Sequence, residues 1–324
     1  MPASILICRR VFPDIVARLR EHFEVEANDA DDVWSRDKLI RRLQGKDGVF
    51  VTGTQAIDAA LLDACPQLRA VCSLAVGYNN IDVPACTAHG VVVSNAPGVL
   101  TETTADFGFA LMMAAARRIS ESEAFLRRGE WSKWSVDLFA GSDVHGATLG
   151  VLGMGRIGQA IVRRAAGFKM KVLYHNRNRL PADVERWLNA EYASKDELLA
   201  SADFIVLQMP YSPATHHYIG EAELKRMKPT AILINSTRGG VVDDAALIHG
   251  LKNGTIRAAG LDVFENEPQL NPGFLDLKNV VLAPHVGSST EATRRAMAMT
   301  AAKNAVAALT GGMPPNLLNP QAKR

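Results

Sequence analysis

The chain carries no marked excess of charge of either sign. Its 36 Lys and Arg residues against 34 Asp and Glu give a formal net charge of +2, so electrostatics supplies no reason to bind nucleic acid. No apolar run approaches the roughly 18 residues of a membrane span. The most apolar stretch, FGFALMMAAA (107–116), is followed at once by Arg117 and Arg118, and no membrane partner is expected. The opening MPASILICRR lacks the long apolar segment of a secretory signal. Cysteine is scarce: Cys8, Cys65, Cys72 and Cys86 are the only four, at spacings that suit neither a zinc ribbon nor a disulfide framework. Buried thiols in a reducing cytoplasm are the expectation. With 48% hydrophobic and 22% charged residues in 324, the chain has the composition of a globular protein and the length for two domains, each with its own core.

Apolar runs of strand length alternate with helical patterns along most of the chain, which points to parallel sheets covered by helices. SILIC (4–8), GVFVTG (48–53), LRAVCSL (68–74) and GVVVSN (90–95) read as strands, and PDIVARLREHF (13–23) as an amphipathic helix with Ile15, Val16, Leu19 and Phe23 on one face. IDAALLDACPQ reads as a helix. These make a first α/β unit over about residues 1–98. One long, unusually apolar helix is expected from about Thr101 to Arg128, crossing between domains or packing on another subunit, with TETT supplying cap-type hydroxyls. The Gly-, Ser- and Trp-rich segment GEWSKWSVDLFAGSDVHG reads as an exposed loop or arm. Six further strands are expected at Leu149–Leu152, Val172–Tyr174, Phe204–Gln208, Ala231–Asn235, Ala258–Asp262 and Val280–Ala283. A helix beginning at Ser289 or Thr290 follows, and the last forty residues, without a strand of their own, are expected to pack back on the first unit.

One local pattern carries chemistry. Gly153, Gly155 and Gly158 form G-x-G-x-x-G between the strand TLGVL and the helix RIGQAIVRRAAGF. That junction is what a dinucleotide needs: a tight turn, a close backbone approach to the pyrophosphate, and a helix packed closely on its strand. The acid normally found about 20 residues on, which holds the ribose hydroxyls, is missing. Instead the chain reads KVLYHNRNR, with Asn176 in the place of the acid and Arg177 and Arg179 just beyond it. An arginine there is a bidentate partner for a 2′-phosphate, so NADPH is expected in preference to NADH.

Three further stretches, LAVGYNNID (74–82), LINSTRGGVVDDAALIHGLKNGTIRAAGLDVFENEP (233–268) and VVLAPHVGSST (280–290), resemble the signatures of the D-isomer-specific 2-hydroxyacid dehydrogenases. With the glycine loop they run in that family's order across nearly the whole chain. The resemblance is strongest to the glyoxylate/hydroxypyruvate reductases and the related 2-ketogluconate reductases. It implies an α/β fold of two doubly wound parallel-sheet domains, a Rossmann-type cofactor domain inserted in a flavodoxin-like substrate domain. The implied boundaries are 1–98 with 286–324 for the substrate domain, and 99–285 for the dinucleotide-binding domain with its helix and arm. A homodimer and a small 2-keto acid substrate are implied with it.

The resemblance places Arg238, Glu267 and His285 in the catalytic positions. Their chemistry fits reduction of a 2-keto acid. A histidine donates the proton near neutral pH; a glutamate on its other nitrogen fixes the tautomer; an arginine fork holds a carboxylate and polarises the carbonyl. The backbone N–H groups of Val76 and Gly77 are implied as carboxylate donors. Cofactor contacts are implied for Thr104, Gly153, Gly155, Arg156, Ile157, Gly158, Asn176, Arg177, Arg179, Pro210, Thr237, Arg238, Asp262, His285 and Gly287, with Asp262 assigned to the nicotinamide carboxamide. Gln208 stands where many members of the family have histidine. Trp131 or Trp134 is implied to approach a neighbouring subunit's site. The pair His216–His217, without a third ligand, is expected to be a solvated loop, and no metal is expected. Formate and phosphoglycerate dehydrogenases share the fold. The former carry glutamine where Glu267 stands, and the short C-terminus is expected to leave no room for the regulatory domain of long phosphoglycerate dehydrogenases, though short forms exist. Dinucleotide-sensing corepressors with the same motifs are the rival of a different class.

Overall fold

A computed structural model describes residues 2–322. The described residues up to Leu100 and those from Ser289 form one compact unit, and Thr101–Ser288 form another.

The first unit holds a parallel sheet of β1 (Ser4–Ile7), β2 (Glu24–Ala27), β3 (Gly48–Val51), β4 (Ala70–Ser73) and β5 (Val92–Ser94), in the order β2-β1-β3-β4-β5. That is the flavodoxin-like doubly wound order. β3 and β4 are buried along their whole length, so they read as unbroken apolar runs. β2, with the sequence EVEA, lies at the sheet edge with no fully buried residue. Its polar alternation explains why four strands rather than five are legible here. The helix Glu291–Leu309, capped by Thr290 accepting from the N–H of Thr293, packs against β3, β4 and β5. Asn304, wholly buried on it, donates to the carbonyl of Asn95 at 2.8 Å. Asn319 closes the sheet edge, accepting from Val93 N at 2.7 Å and donating to Val91 O at 2.9 Å. All four cysteines are buried and free; burial pushes the Cys8, Cys72 and Cys86 thiols up to about 12.

The second unit holds seven parallel strands: β6 (Thr148–Leu152), β7 (Lys171–His175), β8 (Ala190–Tyr192), β9 (Phe204–Leu207), β10 (Ile232–Asn235), β11 (Ala258–Leu261) and β12 (Val280–Leu282). Their order is β12-β11-β10-β9-β6-β7-β8, so the winding reverses between β6 and β9. In such sheets ligands bind outside the carboxyl ends of the strands at that reversal. β8 is the strand that sequence reading leaves out; its three residues, Ala190, Glu191 and Tyr192, bury only the first. Two apolar layers cover the sheet, one including Phe109, Met112, Ile161 and Phe204, the other Leu198, Ile205, Leu233 and Phe274. Each large side chain fully buried there contributes about 1.5–3 kcal/mol.

The single helix expected over 101–128 is two helices, Thr101–Ala116 and Ile119–Arg127. Arg118 between them takes the left-handed conformation at φ 52°, which an α-helix cannot continue. The carbonyl of Ala116 is instead taken by the N–H of Ser142 at 2.8 Å. The chain passes so close that a side chain at Gly141 would meet that carbonyl at 2.3 Å. Nor is the apolar face of the first helix open: Thr104, Ala105, Gly108, Phe109, Leu111 and Met112 are buried against the helix Arg156–Gly167, β10 and β11. Exposed apolar surface lies beyond it, at Ile119, Leu126, Trp131, Trp134 and Val136.

Candidate active site

Three loops at the carboxyl ends of β10, β11 and β12 bring Arg238, Glu267 and His285 together. After β10, the side chain of Asn235 shapes the first loop. It accepts from the N–H and hydroxyl of Thr237 at 3.1 and 2.8 Å and donates to the carbonyl of Arg238 at 3.1 Å. Arg238, half-buried, donates from Nη1 to Thr237 O at 2.7 Å. Burial pulls its pKa down, against the opposing charge of Glu267; a guanidinium remains charged all the same. The next residue, Gly239, allows the first loop to lie directly on the second. A Cβ there would sit 1.9 Å from the carbonyl carbon and oxygen of Phe264. Only glycine fits so close a crossing of two backbones.

The second loop carries Glu267. One carboxylate oxygen accepts from Phe264 N at 2.9 Å, and the other lies 2.7 Å from Nδ1 of His285. Burial pushes the Glu267 carboxyl up, but the hydrogen bond and charge of His285, the Phe264 N–H and the charge of Arg238 outweigh it. The net result lies below the ordinary carboxylate range. The third loop is held by Asp262, which is buried and accepts from Val286 N at 2.7 Å and Gly287 N at 2.8 Å. The main-chain N–H of His285 donates to Asp262 O at 2.9 Å, and His285 takes φ 55°. A residue with a Cβ in the left-handed region is held there by its surroundings; here two loop amides and one carbonyl turn on Asp262. Burial raises the Asp262 carboxyl above its ordinary value despite those two N–H donors. His285 is itself exposed, and Nδ1 is its engaged nitrogen.

The glycine loop after β6 has the shape a dinucleotide requires. Gly153 takes φ 103° and lies against the backbone of Gln208 and Met209, where a Cβ would come within 2.7 Å. At Gly158 a Cβ would meet Gly153 O at 2.4 Å, so this glycine lets helix and loop pack. Gly155 differs from both: a Cβ there would meet nothing within 4 Å, leaving open space beside the backbone. Gly155 is also the N-cap of the helix Arg156–Gly167, and no side chain caps it. The free N–H groups and positive dipole end of that helix suit a pyrophosphate. These residues fit a bound dinucleotide.

The sequence pattern described as "D-isomer specific 2-hydroxyacid dehydrogenase, NAD binding domain" matches residues 109–287. The chain is 46% identical over 323 residues to the glyoxylate reductase of Thermococcus onnurineus, a match spanning 98% of this chain and 96% of that protein. It belongs to the D-isomer-specific 2-hydroxyacid dehydrogenases. Among solved structures, it is similar to a glyoxylate reductase from Paecilomyes thermophila, with a TM-score of 0.88 and 32% identity over all of both chains. It is also similar to the NADPH-dependent glyoxylate/hydroxypyruvate reductase of Sinorhizobium meliloti, crystallised with NADP and malonate. There the TM-score is 0.86 and the identity 33%, over 100% of this chain and 99% of that one.

At the end of β7 this 2-hydroxyacid dehydrogenase lacks the acid that usually follows such a glycine loop. Asn176 accepts from the glycine-loop N–H of Met154 at 2.6 Å, so its amide oxygen braces the loop. Arg177 is exposed and, among the described residues, has no hydrogen bond or ion pair. Arg179 is not equivalent to it. Its guanidinium is bidentate to Glu185 at 2.8 and 2.8 Å and lies over the Tyr192 ring. The arginine pair expected at this edge is therefore one free arm and one tethered arm.

Other expected contacts fall as follows. Thr104 is buried, and its methyl lies beside Gly287, where a Cβ would come within 3.7 Å of it. Arg156 is exposed and Ile157 half-buried on the first turn of the glycine-loop helix; Pro210, exposed, offers its carbonyl to Thr215 at 2.9 Å. Gln208, in place of histidine, donates to Ser236 Oγ at 2.9 Å and so ties the loop after β9 to that after β10. Val76 and Gly77 lie in the first unit, half-buried after β4, with Val76 O accepting from Asn95 at 2.8 Å. The bracing roles of Asn235 and Gly239 escape sequence reading, although the N-x-x-R-G spacing carries them. Asp262, expected at the cofactor, accepts with both carboxylate oxygens from the turn bearing His285. His216 and His217, expected to lack a third ligand-type neighbour, have one in Glu265.

Proposed function

We propose that the protein reduces a small 2-keto acid of the glyoxylate and hydroxypyruvate class to the 2-hydroxy acid, with NADPH as the reductant. The observation that carries the cofactor choice is the end of β7: no carboxylate, a neutral Asn176 engaged with Met154, and Arg177 free for a 2′-phosphate. The similarity to glyoxylate reductases at 46% identity supports the substrate class.

A reduced nicotinamide, when bound, supplies hydride for C2 of the keto acid. The remaining work falls to the chain. Glu267 accepts from Nδ1 of His285, leaving Nε2 to deliver the proton to the carbonyl oxygen. Arg238 holds the substrate carboxylate with its fork and polarises the carbonyl. On the family resemblance, the N–H groups of Val76 and Gly77 are assigned to the same carboxylate. Gly153, Gly155, Arg156, Ile157 and Gly158 are assigned to the pyrophosphate, and Thr104, Pro210, Thr237, Asp262 and Gly287 to the rest of the cofactor.

A homodimer in a reducing cytoplasm belongs to the same reading. It is supported by four buried free thiols and by Trp131, Trp134 and Val136 at 56%, 75% and 85% exposure on the arm. A monomer mass in light scattering would reject the dimer. The deciding experiment for the reaction is a panel of 2-keto acids assayed with NADPH and NADH side by side. Highest kcat/KM is expected with glyoxylate or hydroxypyruvate and NADPH; a preference for NADH would overturn the cofactor assignment.

A further inference from the structure

The loop that carries Glu267 also takes part in a second cluster, on side chains the reaction does not use. His216, His217 and Glu265 each offer one ligand-type atom, and the three atoms lie within 4.8 Å of one another. Sequence separates Glu265 from the histidines by almost fifty positions; the fold joins them because His217 follows β9 and Glu265 follows β11. Glu265 Oε1 lies 2.6 Å from Nε2 of His217. The two imidazoles, though adjacent in the chain, are stacked, with centroids 3.9 Å apart and planes inclined by 24°. Vicinal side chains in an extended segment point to opposite sides. Here His217 takes φ 49°, and its main-chain N–H is held by Gly240 O at 2.8 Å, so both rings face one way. Tyr211 Oη lies 3.3 Å from Nδ1 of His216, leaving Nε2 of that ring for a ligand role. Asp243 Oδ2 lies 3.7 Å from Nδ1 of His217, near that nitrogen but beyond a hydrogen bond.

From these groups we infer that His216, His217 and Glu265 form a binding site for a zinc-class divalent ion, linking the loop after β9 to the loop that bears Glu267. Two imidazole nitrogens and one carboxylate oxygen select borderline ions such as Zn2+ and Co2+ over Mg2+ and Ca2+, which take all-oxygen sets. The ion takes the place of the proton shared between His217 Nε2 and Glu265 Oε1. Three protein ligands leave a coordination position for water. None of these three side chains has a part in the proposed reduction, so occupancy of the site is not a condition of that reaction.

The test is a titration of the full chain, stripped of metal with a chelator, with Co2+ followed by its visible absorption and with Zn2+ in competition. One Co2+ per chain with a four- or five-coordinate spectrum is expected, displaced by Zn2+, which also raises Tm. His217→Ala and, independently, His216→Ala should weaken binding by roughly tenfold or more, and Glu265→Gln should weaken it also. His249→Ala, on the exposed end of the helix Asp244–Lys252, should bind as the parent does. No stoichiometric binding below about 1 mM, or binding unchanged in His216→Ala and Glu265→Gln with the fold intact by circular dichroism, would overturn the inference.

Discussion

The loops after β10, β11 and β12 and the turn after β7 lie at the same end of one sheet, yet they are supported in opposite ways. Around Arg238, Glu267 and His285 nearly every position is fixed by backbone. Asn235 shapes one loop, Gly239 lets it lie on Phe264, Phe264 N anchors Glu267, and Asp262 gathers the amides of the His285 turn. At the end of β7, Asn176 is braced by Met154 N, but Arg177 extends free. Proton transfer tolerates little misplacement, and its groups sit on interlocked main chain. The proposed cofactor choice would be a charge interaction with a phosphate, for which a long exposed side chain suffices. On the proposed function, chemistry is thus built into the frame of the sheet, and selectivity into one removable arm.

The sharpest way to break this contrast is at His285. His285→Ala should lower kcat by about a hundredfold to ten-thousandfold while NADPH binding, read by nicotinamide fluorescence, stays near normal. Lost cofactor affinity with normal turnover of the bound fraction would show that His285 belongs to the binding side. Gly239→Ala comes next, and it tests the frame without touching a reacting group. A methyl 1.9 Å from the Phe264 backbone forces the two loops apart, with an expected loss of about 3 kcal/mol of stability by denaturant titration and a fall in kcat. Unchanged stability would mean that the loops can part without cost.

At the other region the effects are smaller and selective. Arg177→Ala should reduce kcat/KM with NADPH by roughly tenfold to a hundredfold, the value of one or two charge-assisted hydrogen bonds, and leave NADH nearly unaffected. Arg179→Ala should do less, because that guanidinium is already held by Glu185. An equal loss in both variants would show that the Glu185 tether opens when phosphate binds. The smallest effect concerns Glu185 itself. Arg179, the Tyr174 hydroxyl and the Arg179 charge lower its carboxyl to about 2 from an ordinary 4.5, against burial. A depressed carboxylate contributes stability that is fully present above 4.5 and lost as pH falls toward 2. Glu185→Gln should therefore lose less stability than the parent across that acid window; parallel profiles would show that the pairing contributes nothing.

Much of this architecture is legible in the chain because buried parallel strands are unbroken apolar runs, and β3, β4, β6, β9 and β10 are all of that kind. β2 and β8 are not: each lies at a sheet edge, is short, and carries exposed polar residues. The break at Arg118 is invisible for a different reason. Nothing local forbids a helix there; the chain at Gly141 and Ser142 takes the end of the first helix instead.

The linear sequence by itself determined the fold class, the glycine loop, the identity of Arg238, Glu267 and His285, and the absence of an acid after β7. Each of these rests on residue type and spacing along one stretch of chain. Tertiary structure alone decided which groups each one meets. It paired Arg179 with Glu185 and left Arg177 free, turned Asp262 onto the His285 loop, and set Glu265 beside His216 and His217. Such pairings join positions far apart in the chain, and the order of strands in the sheet, not the spacing between residues, brings them within a hydrogen bond of each other.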